Sequence, residues 1–402
     1  MKRHNAKALT LLVAATIFGS LGGVWATQPP PPELNSASAV LIEPGTGQVL
    51  YARAADERRP MASLTKMMTG LLVAEAGDLR RTVEISASAA AVGETSMNLT
   101  AGEELLLYDL LLGAMLPSAN DAAVACAETV SGSLEAFVER MNTRALELGM
   151  TGTNFVNPHG LHDDDHYSTA RDMATLAVQV MGRAELRPIV RMQEATVPWA
   201  GKPYDRTLKN RNQLLAQWDA CDGIKTGYTK QAGRCLAASA YQDGWRLICV
   251  VMDSKDAWTD AQTLLTWGFD RFYKVALVSR DLTRATVEVR GGTVNTVEAE
   301  AAEDVLAVLP TTSRPAEPVL VEQIATAPVQ AGDAVGQLSV EMPDGSLRTV
   351  ELLALEDVAR SPWALLMGDG RYVAAMAALV LLAVGVLAHG AVAEAIGARR
   401  SR

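Results

Sequence analysis

Ser63 and Lys66 stand three residues apart in the run Ser63-Leu64-Thr65-Lys66. On a helix, residues at i and i+3 share a face, so this spacing brings a hydroxyl and an amine together. A serine hydroxyl is a weak nucleophile until a base removes its proton. A lysine in water has a pKa of about 10.4 and cannot serve. Burial disfavours the charged form and can lower that value by several units. The pair therefore encodes nucleophilic acyl transfer with a lysine base, provided the fold buries the amine. If Ser63 also opens the helix, the field at the helix N-terminus favours a developing negative charge. The plainer alternative is that Ser63 caps the helix. A lone SxxK arises by chance on the order of once in a chain this long.

Two further groups follow in order. Ser118-Ala119-Asn120 comes after Met115-Leu116-Pro117 and falls between two expected helices. Ser118 could carry a proton between lysine and leaving group, and Asn120 could hydrogen-bond a substrate amide. The same residues also read as an ordinary helix start. Lys225-Thr226-Gly227 follows Asp222-Gly223 on an expected strand. Gly227 would let a substrate backbone lie close to that strand. Lys225 supplies positive charge and Thr226 a hydroxyl for a carboxylate. The alternative is a surface lysine on an exposed strand edge.

The elements that must position these groups are legible. Residues 38–43 and 48–53 flank Pro44-Gly45-Thr46-Gly47 and read as a hairpin. A helix is expected from Ser63 to about Ala76, ended by Gly77-Asp78. A helical region covers 103–148, where Leu134, Phe137, Val138, Met141, Ala145 and Leu148 line one face. Residues 223–228, 234–241 and 246–252 read as strands, and 257–273 as a closing helix. The order predicts an α+β or three-layer domain over 36–277, with helices on an antiparallel sheet. Short β segments separated by Gly or Pro follow, and predict a small all-β domain over 283–357. Met342-Pro343-Asp344-Gly345-Ser346 is one of its turns.

The chain has 402 residues, room for two domains and a large core. Its net charge of −10 gives no reason to expect nucleic-acid binding. Residues 1–26 read as a signal peptide: a basic start, an apolar run over 8–18 and the small-residue site Val24-Trp25-Ala26. A Pro-rich spacer follows over 27–35. Residues 372–393 contain no Asp, Glu, Lys or Arg and are expected to form a transmembrane helix. Arg399, Arg400 and Arg402 in the tail 394–402 place that end in the cytoplasm. An interfacial or buried Ala-rich helix is the alternative. Cys126, Cys221, Cys235 and Cys249 could pair in an exported protein. Cys126 reads as a small helix-core residue, and Cys235 would face Met252 across its hairpin rather than Cys249. Free thiols are the expectation.

S-x-x-K, S-D-N and K-T-G together mark the class A β-lactamases and penicillin-binding proteins. This chain resembles the low-molecular-mass penicillin-binding proteins that act as serine-type D-Ala-D-Ala carboxypeptidases, peptidase family S11, over about 36–360. Asn210-Arg211-Asn212-Gln213-Leu214-Leu215, Asp222-Gly223-Ile224, His159-Gly160-Leu161, Tyr167-Ser168-Thr169-Ala170-Arg171-Asp172 and Leu265-Thr266-Trp267-Gly268-Phe269 carry the resemblance further. Ser-Ala-Asn stands where others have Ser-Asp-Asn. The resemblance implies a β-lactamase/transpeptidase-like catalytic domain, a C-terminal β domain and a membrane anchor.

It also implies roles. Ser63 forms the acyl-enzyme, and Lys66 is the base. Ser118 and Asn120 relay protons and bind the amide. Lys225, Thr226 and Gly227 bind substrate. The backbone N–H groups of Ser63 and Tyr228 form the oxyanion hole, and Arg211 supports carboxylate recognition. The implied substrate is the peptidoglycan stem peptide, trimmed of its terminal D-alanine on the outer face of the cytoplasmic membrane. β-Lactams would acylate Ser63, and no cofactor or metal is implied. A β-lactamase on the same fold and a non-catalytic wall-binding scaffold are the rivals. His159, His162 and His166 beside Asp163, Asp164 and Asp165 have metal-ligand chemistry, but the expectation is a solvated polar loop.

Overall fold

The computed structural model describes residues 30–321, 324–364 and the helix Gly370–Arg400. The signal peptide expected over 1–26 lies outside them. The described chain divides into two compact units. One runs to Lys274 and takes in Pro310–Thr312; the other comprises Val275–Leu309 and the chain from Ser313 onward.

The first unit is built on one antiparallel sheet. Its strands are β1 (Ser38–Ile42), β2 (Val49–Arg53), β3 (Cys221–Thr229), β4 (Gly233–Gln242) and β5 (Trp245–Ser254), in the order β2-β1-β5-β4-β3. Alternate side chains of a strand point to opposite faces, and here both faces are covered. Val40, Ile248, Val250 and Met252 join the core of a helical lobe. Leu41 and Leu247 turn the other way, where a Cβ on Gly268 would touch both. That second face is covered by α6 (Ala257–Arg271). The lobe holds α1 (Lys66–Ala76), α2 (Leu107–Met115), α3 (Asn120–Ser131), α4 (Leu134–Glu147) and α5 (Ala170–Gly182).

Two local expectations change. The start of the region expected to be helical, Glu104–Leu106, is a strand paired with Thr82–Glu84; the helices begin only at Leu107. The expected helix from Ser63 is one 3-10 turn, Ala62–Thr65, followed by α1. α1 is buried from Lys66 to Ala74 with no polar face. A helix apolar all round belongs inside a core, and it carries Lys66 in with it. All four cysteines are free and buried, as expected. Cys249 pairs in register with Ala238, and the β4–β5 ladder slips at Cys235.

The second unit holds a six-stranded sheet. Its order is Val319–Val321, Ala334–Glu341, Leu347–Ala354, Thr296–Ala301, Arg284–Arg290, Ile324–Thr326. Only the last pair is parallel. The strand Leu347–Ala354, not anticipated from sequence, alternates buried Val350, Leu352 and Ala354 with more exposed neighbours. The Met342–Ser346 turn closes as expected, with Gly345 at φ 81°.

The C-terminal helix Gly370–Arg400 forms, but the expected span does not follow from it. Among the described residues, no helix is long and apolar enough to cross a membrane. Side chains are described only for 374–390, all exposed.

Candidate active site

The nucleophile turn is tightly made. Ala62, a non-glycine residue, has φ 49°, in the left-handed region. The 3-10 turn has no side-chain cap, and Thr65, not Ser63, is the residue before α1. Ser63 therefore caps nothing, and the capping alternative fails. Two glycines press against the turn. A Cβ on Gly160 would lie 2.0 Å from Ala62 O, and one on Gly227 would lie 3.0 Å from Ser63 N. Lys225-Thr226-Gly227 thus sits on β3, at the sheet edge, directly against the nucleophile.

Lys66 is fully buried. Its Nζ lies 3.1 Å from Ser63 Oγ, 2.8 Å from Asn120 Oδ1 and 2.6 Å from His159 O. Burial holds its pKa well below the ordinary lysine value, and the nearby charges of Lys225 and Arg211 lower it further. Asp121 pulls the other way.

Ser118 lies between α2 and α3. Pro117 disfavours helix at the residue before it, and α2 stops at Met115. Ser118 has φ 69° and is buried, and α3 has no side-chain cap. Its hydroxyl is used elsewhere: Lys225 Nζ donates to Ser118 Oγ at 2.9 Å. Lys225 also donates to Thr226 O at 3.0 Å. β3 is indeed an edge strand, but Lys225 is only 2% exposed and is no surface lysine. Burial and the Arg211 charge bring its pKa down to about 7.

Asn120 fastens the opposite wall. Its backbone N–H donates to Thr95 O at 2.7 Å and its Nδ2 to Gly93 O at 3.0 Å. The buried Asp121 carboxylate accepts from Ser96 Oγ and the backbone N–H groups of Met97 and Leu99. Arg211 is exposed, and among the described residues its guanidinium has no hydrogen-bond or ion-pair partner. Its loop is fixed by Asn212, whose Nδ2 donates to Gly223 O at 2.9 Å.

These groups line one cleft of about 320 Å³, with Ser63, Ser118, Arg211, Thr226, Gly227 and Tyr228 in its wall. Lys66, Asn120 and Lys225 stand behind, bonded to the wall. Ser63, Lys66, Ser118, Asn120, Arg211, Lys225, Thr226, Gly227 and Tyr228 thus lie at or directly behind one cleft. Glu94, Thr95, Arg234 and Trp258 also line the cleft and were not anticipated, because no short motif marks them. The role of the His159 carbonyl was also invisible, since a backbone acceptor leaves no side-chain signature. The polar loop is not uniformly solvated: His166 is 2% exposed, and both its ring nitrogens are engaged.

A buried lysine beside a serine at a left-handed turn, with a cationic edge strand across the cleft, is the apparatus of a serine acyl-transfer enzyme. Comparison with known proteins gives the same class. Residues 25–256 match peptidase S11, D-alanyl-D-alanine carboxypeptidase, and residues 272–360 match the penicillin-binding protein 5 C-terminal domain. The chain is 35% identical to D-alanyl-D-alanine carboxypeptidase DacF of Bacillus subtilis, covering 81% of this chain and 87% of the relative. It is 34% identical to DacD of Escherichia coli, over 89% of this chain and 96% of the relative. Penicillin binding protein 5 from Haemophilus influenzae superposes with a TM-score of 0.69 at 31% identity, covering 83% of this chain and 100% of that one. The Streptomyces K15 DD-transpeptidase, at 30% identity and a TM-score of 0.57, covers 60% of this chain and 100% of that one.

The chain belongs to the peptidase S11 family of D-alanyl-D-alanine carboxypeptidases. It is a serine-type carboxypeptidase of the penicillin-binding class, with the mixed α/β transpeptidase-like fold.

Proposed function

We propose that Ser63 attacks the carbonyl between the two terminal D-alanines of a peptidoglycan stem peptide, with neutral Lys66 as base. The observation that carries this is the hydrogen inventory at Lys66. A neutral amine has two N–H groups and one lone pair. Asn120 Oδ1 and His159 O are acceptors only, at 2.8 and 2.6 Å, and take the two hydrogens. Lys66 Nζ also donates to Ser63 Oγ at 3.1 Å; once neutral, the amine gives up that third hydrogen and turns its lone pair to the Ser63 hydroxyl. Burial lowers the Lys66 pKa well below the ordinary lysine value, which favours that neutral form.

The remaining roles belong to the same reading. Lys225, Thr226 and Arg211 receive the terminal carboxylate, and Gly227 lets the peptide approach the β3 edge. The backbone N–H groups of Ser63 and Tyr228 take the tetrahedral oxyanion. Asn120 holds the substrate amide. The serine proton passes through Lys66 and Ser118 to the leaving amine as the C–N bond breaks. Water then attacks the ester, regenerating Ser63 and releasing the shortened peptide. β-Lactams acylate the same hydroxyl as mimics.

The test is Ser63→Ala against a defined pentapeptide and a labelled penicillin. Loss of D-alanine release and of labelling is expected; a retained rate for either would remove Ser63 from the mechanism. Product analysis on the wild type separates the neighbouring reactions: free D-alanine marks the carboxypeptidase and a cross-linked dimer a transpeptidase. A penicillin adduct that turns over rapidly would favour a β-lactamase.

The setting belongs to the same reading: export through residues 1–26, a catalytic domain over 36–277, a β domain over 283–357 and a membrane tether at the C-terminus. The tether is supported by Met376, Leu379, Val380, Leu381, Leu382, Val384, Val386 and Leu387, each at least 57% exposed on one helix. Removing residues 370–402 should move the protein from the membrane to the soluble fraction; unchanged partitioning would refute the tether.

A further inference from the structure

His166 belongs to none of the three motifs, yet its ring is wired into the nucleophile turn. The Val156 backbone N–H donates to Nδ1 at 3.0 Å, so Nδ1 carries the lone pair. Nε2 therefore holds the hydrogen. Nε2 lies 2.7 Å from Thr65 Oγ1. Thr65 Oγ1 in turn donates to Ala62 O at 2.8 Å. The direction of the whole chain is thus fixed: His166 to Thr65 to the carbonyl of Ala62, the residue before Ser63.

The relay is buried, with Thr65 at 0% and His166 at 2% exposure. The His166 ring is wedged edge-on against Phe155, 5.9 Å between centres. Its backbone N–H donates to Asp163 O at 3.0 Å. The relay ends on the one carbonyl in the turn whose residue has a left-handed φ. That conformation is unfavourable for a side-chain residue and persists only where its surroundings hold it. Gly160, a few residues earlier in the same loop, presses on the same carbonyl. The loop 159–166 therefore grips both partners of the reaction: Lys66 through His159 O and the Ser63 turn through His166.

We propose that His166 is a positioning residue for acylation: its Nε2–H orients the Thr65 hydroxyl, which holds the Ala62 carbonyl and so aims Ser63 Oγ and the Ser63 N–H. The inference rests on Ser63 being the nucleophile. The ring does not touch substrate. Burial keeps it neutral, with a pKa lowered to about 4, so the tautomer the relay needs is maintained at working pH. Asp163 raises that value, and His162 and Lys66 lower it.

The test measures acylation by a labelled penicillin over a concentration series, separating noncovalent binding from the acylation rate constant. His166→Leu and Thr65→Val each break the relay. Both should lower the rate constant on the order of 10- to 100-fold, with noncovalent binding unchanged. The double variant should fall no further than the worse single one, because the residues act as a unit. His166→Gln, whose amide can donate to Thr65 and accept from Val156, should recover most of the rate. A wild-type rate in folded Thr65→Val, or a His166→Gln no better than His166→Leu, would overturn the proposal. If His166→Leu does not fold, the nearly isosteric Thr65→Val and the His166→Gln variant still decide it. Ser63→Ala is the control: labelling that persists there defeats the nucleophile assignment itself rather than the relay.

Discussion

Lys225 should make the fold less stable in a way that depends on pH. Its ammonium is 2% exposed, and its pKa falls from 10.5 in the open chain to about 7 in the fold. A lowered lysine pKa means that the folded state binds fewer protons than the unfolded one between those values. Stability therefore rises with pH through that window, and the full cost is felt below pH 7. At pH 6 the cost is on the order of 5 kcal/mol, and at pH 9 about 2 kcal/mol. Lys225→Met removes the charge and keeps the bulk. It also strips the donor from Ser118 Oγ and Thr226 O, a loss of about 2 kcal/mol. The net expectation is a variant about 3 kcal/mol more stable than wild type at pH 6 and about equal at pH 9. Urea unfolding at the two pH values, on enzyme shown to bind no substrate carboxylate, reads this directly. The same change relieves Lys66 of a like charge, so any residual acylation should need a higher pH. A stability difference that is flat from pH 6 to 9, or one that favours wild type at pH 6, would refute the burial argument.

Four other outcomes follow from local geometry. Gly160→Ala should slow acylation far more than Gly227→Ala, since its Cβ would sit 2.0 Å from Ala62 O at φ 89°, whereas that of Gly227 needs only small shifts; equal rates would show that the turn yields. Arg206, 2.6 Å from Glu103 with both side chains at most 3% exposed, should cost about 3–5 kcal/mol when changed to Met. Asp56→Asn, which breaks an Arg171 pair at 42% and 71% exposure, should cost less than about 1 kcal/mol by thermal unfolding. The four buried thiols should be silent to a thiol reagent in the native protein and all react on unfolding without reductant; fewer than four would reveal a disulfide.

The chemistry was readable because acyl transfer by a lysine-assisted serine needs particular side chains at short spacings. Ser63 with Lys66, Ser118 with Asn120, and Lys225 with Thr226 each fit inside four residues, and the turn and strand signals around them were strong. What sequence could not rank was capping against catalysis. Ser63 and Ser118 are both good caps by type, and the choice is made by burial: Lys66 and Lys225 reach them from inside the core. Propensity also failed at Glu104–Leu106, where pairing with Thr82–Glu84 overrides a helical pattern. The supporting shell was least legible, because it acts through the backbone. His159 contributes a carbonyl, Gly160 the lack of a side chain, and His166 a hydrogen bond to a residue a hundred positions away in the chain. A motif records which atoms react. The fold must also say what holds them, and here one loop does so from both sides of the reacting pair.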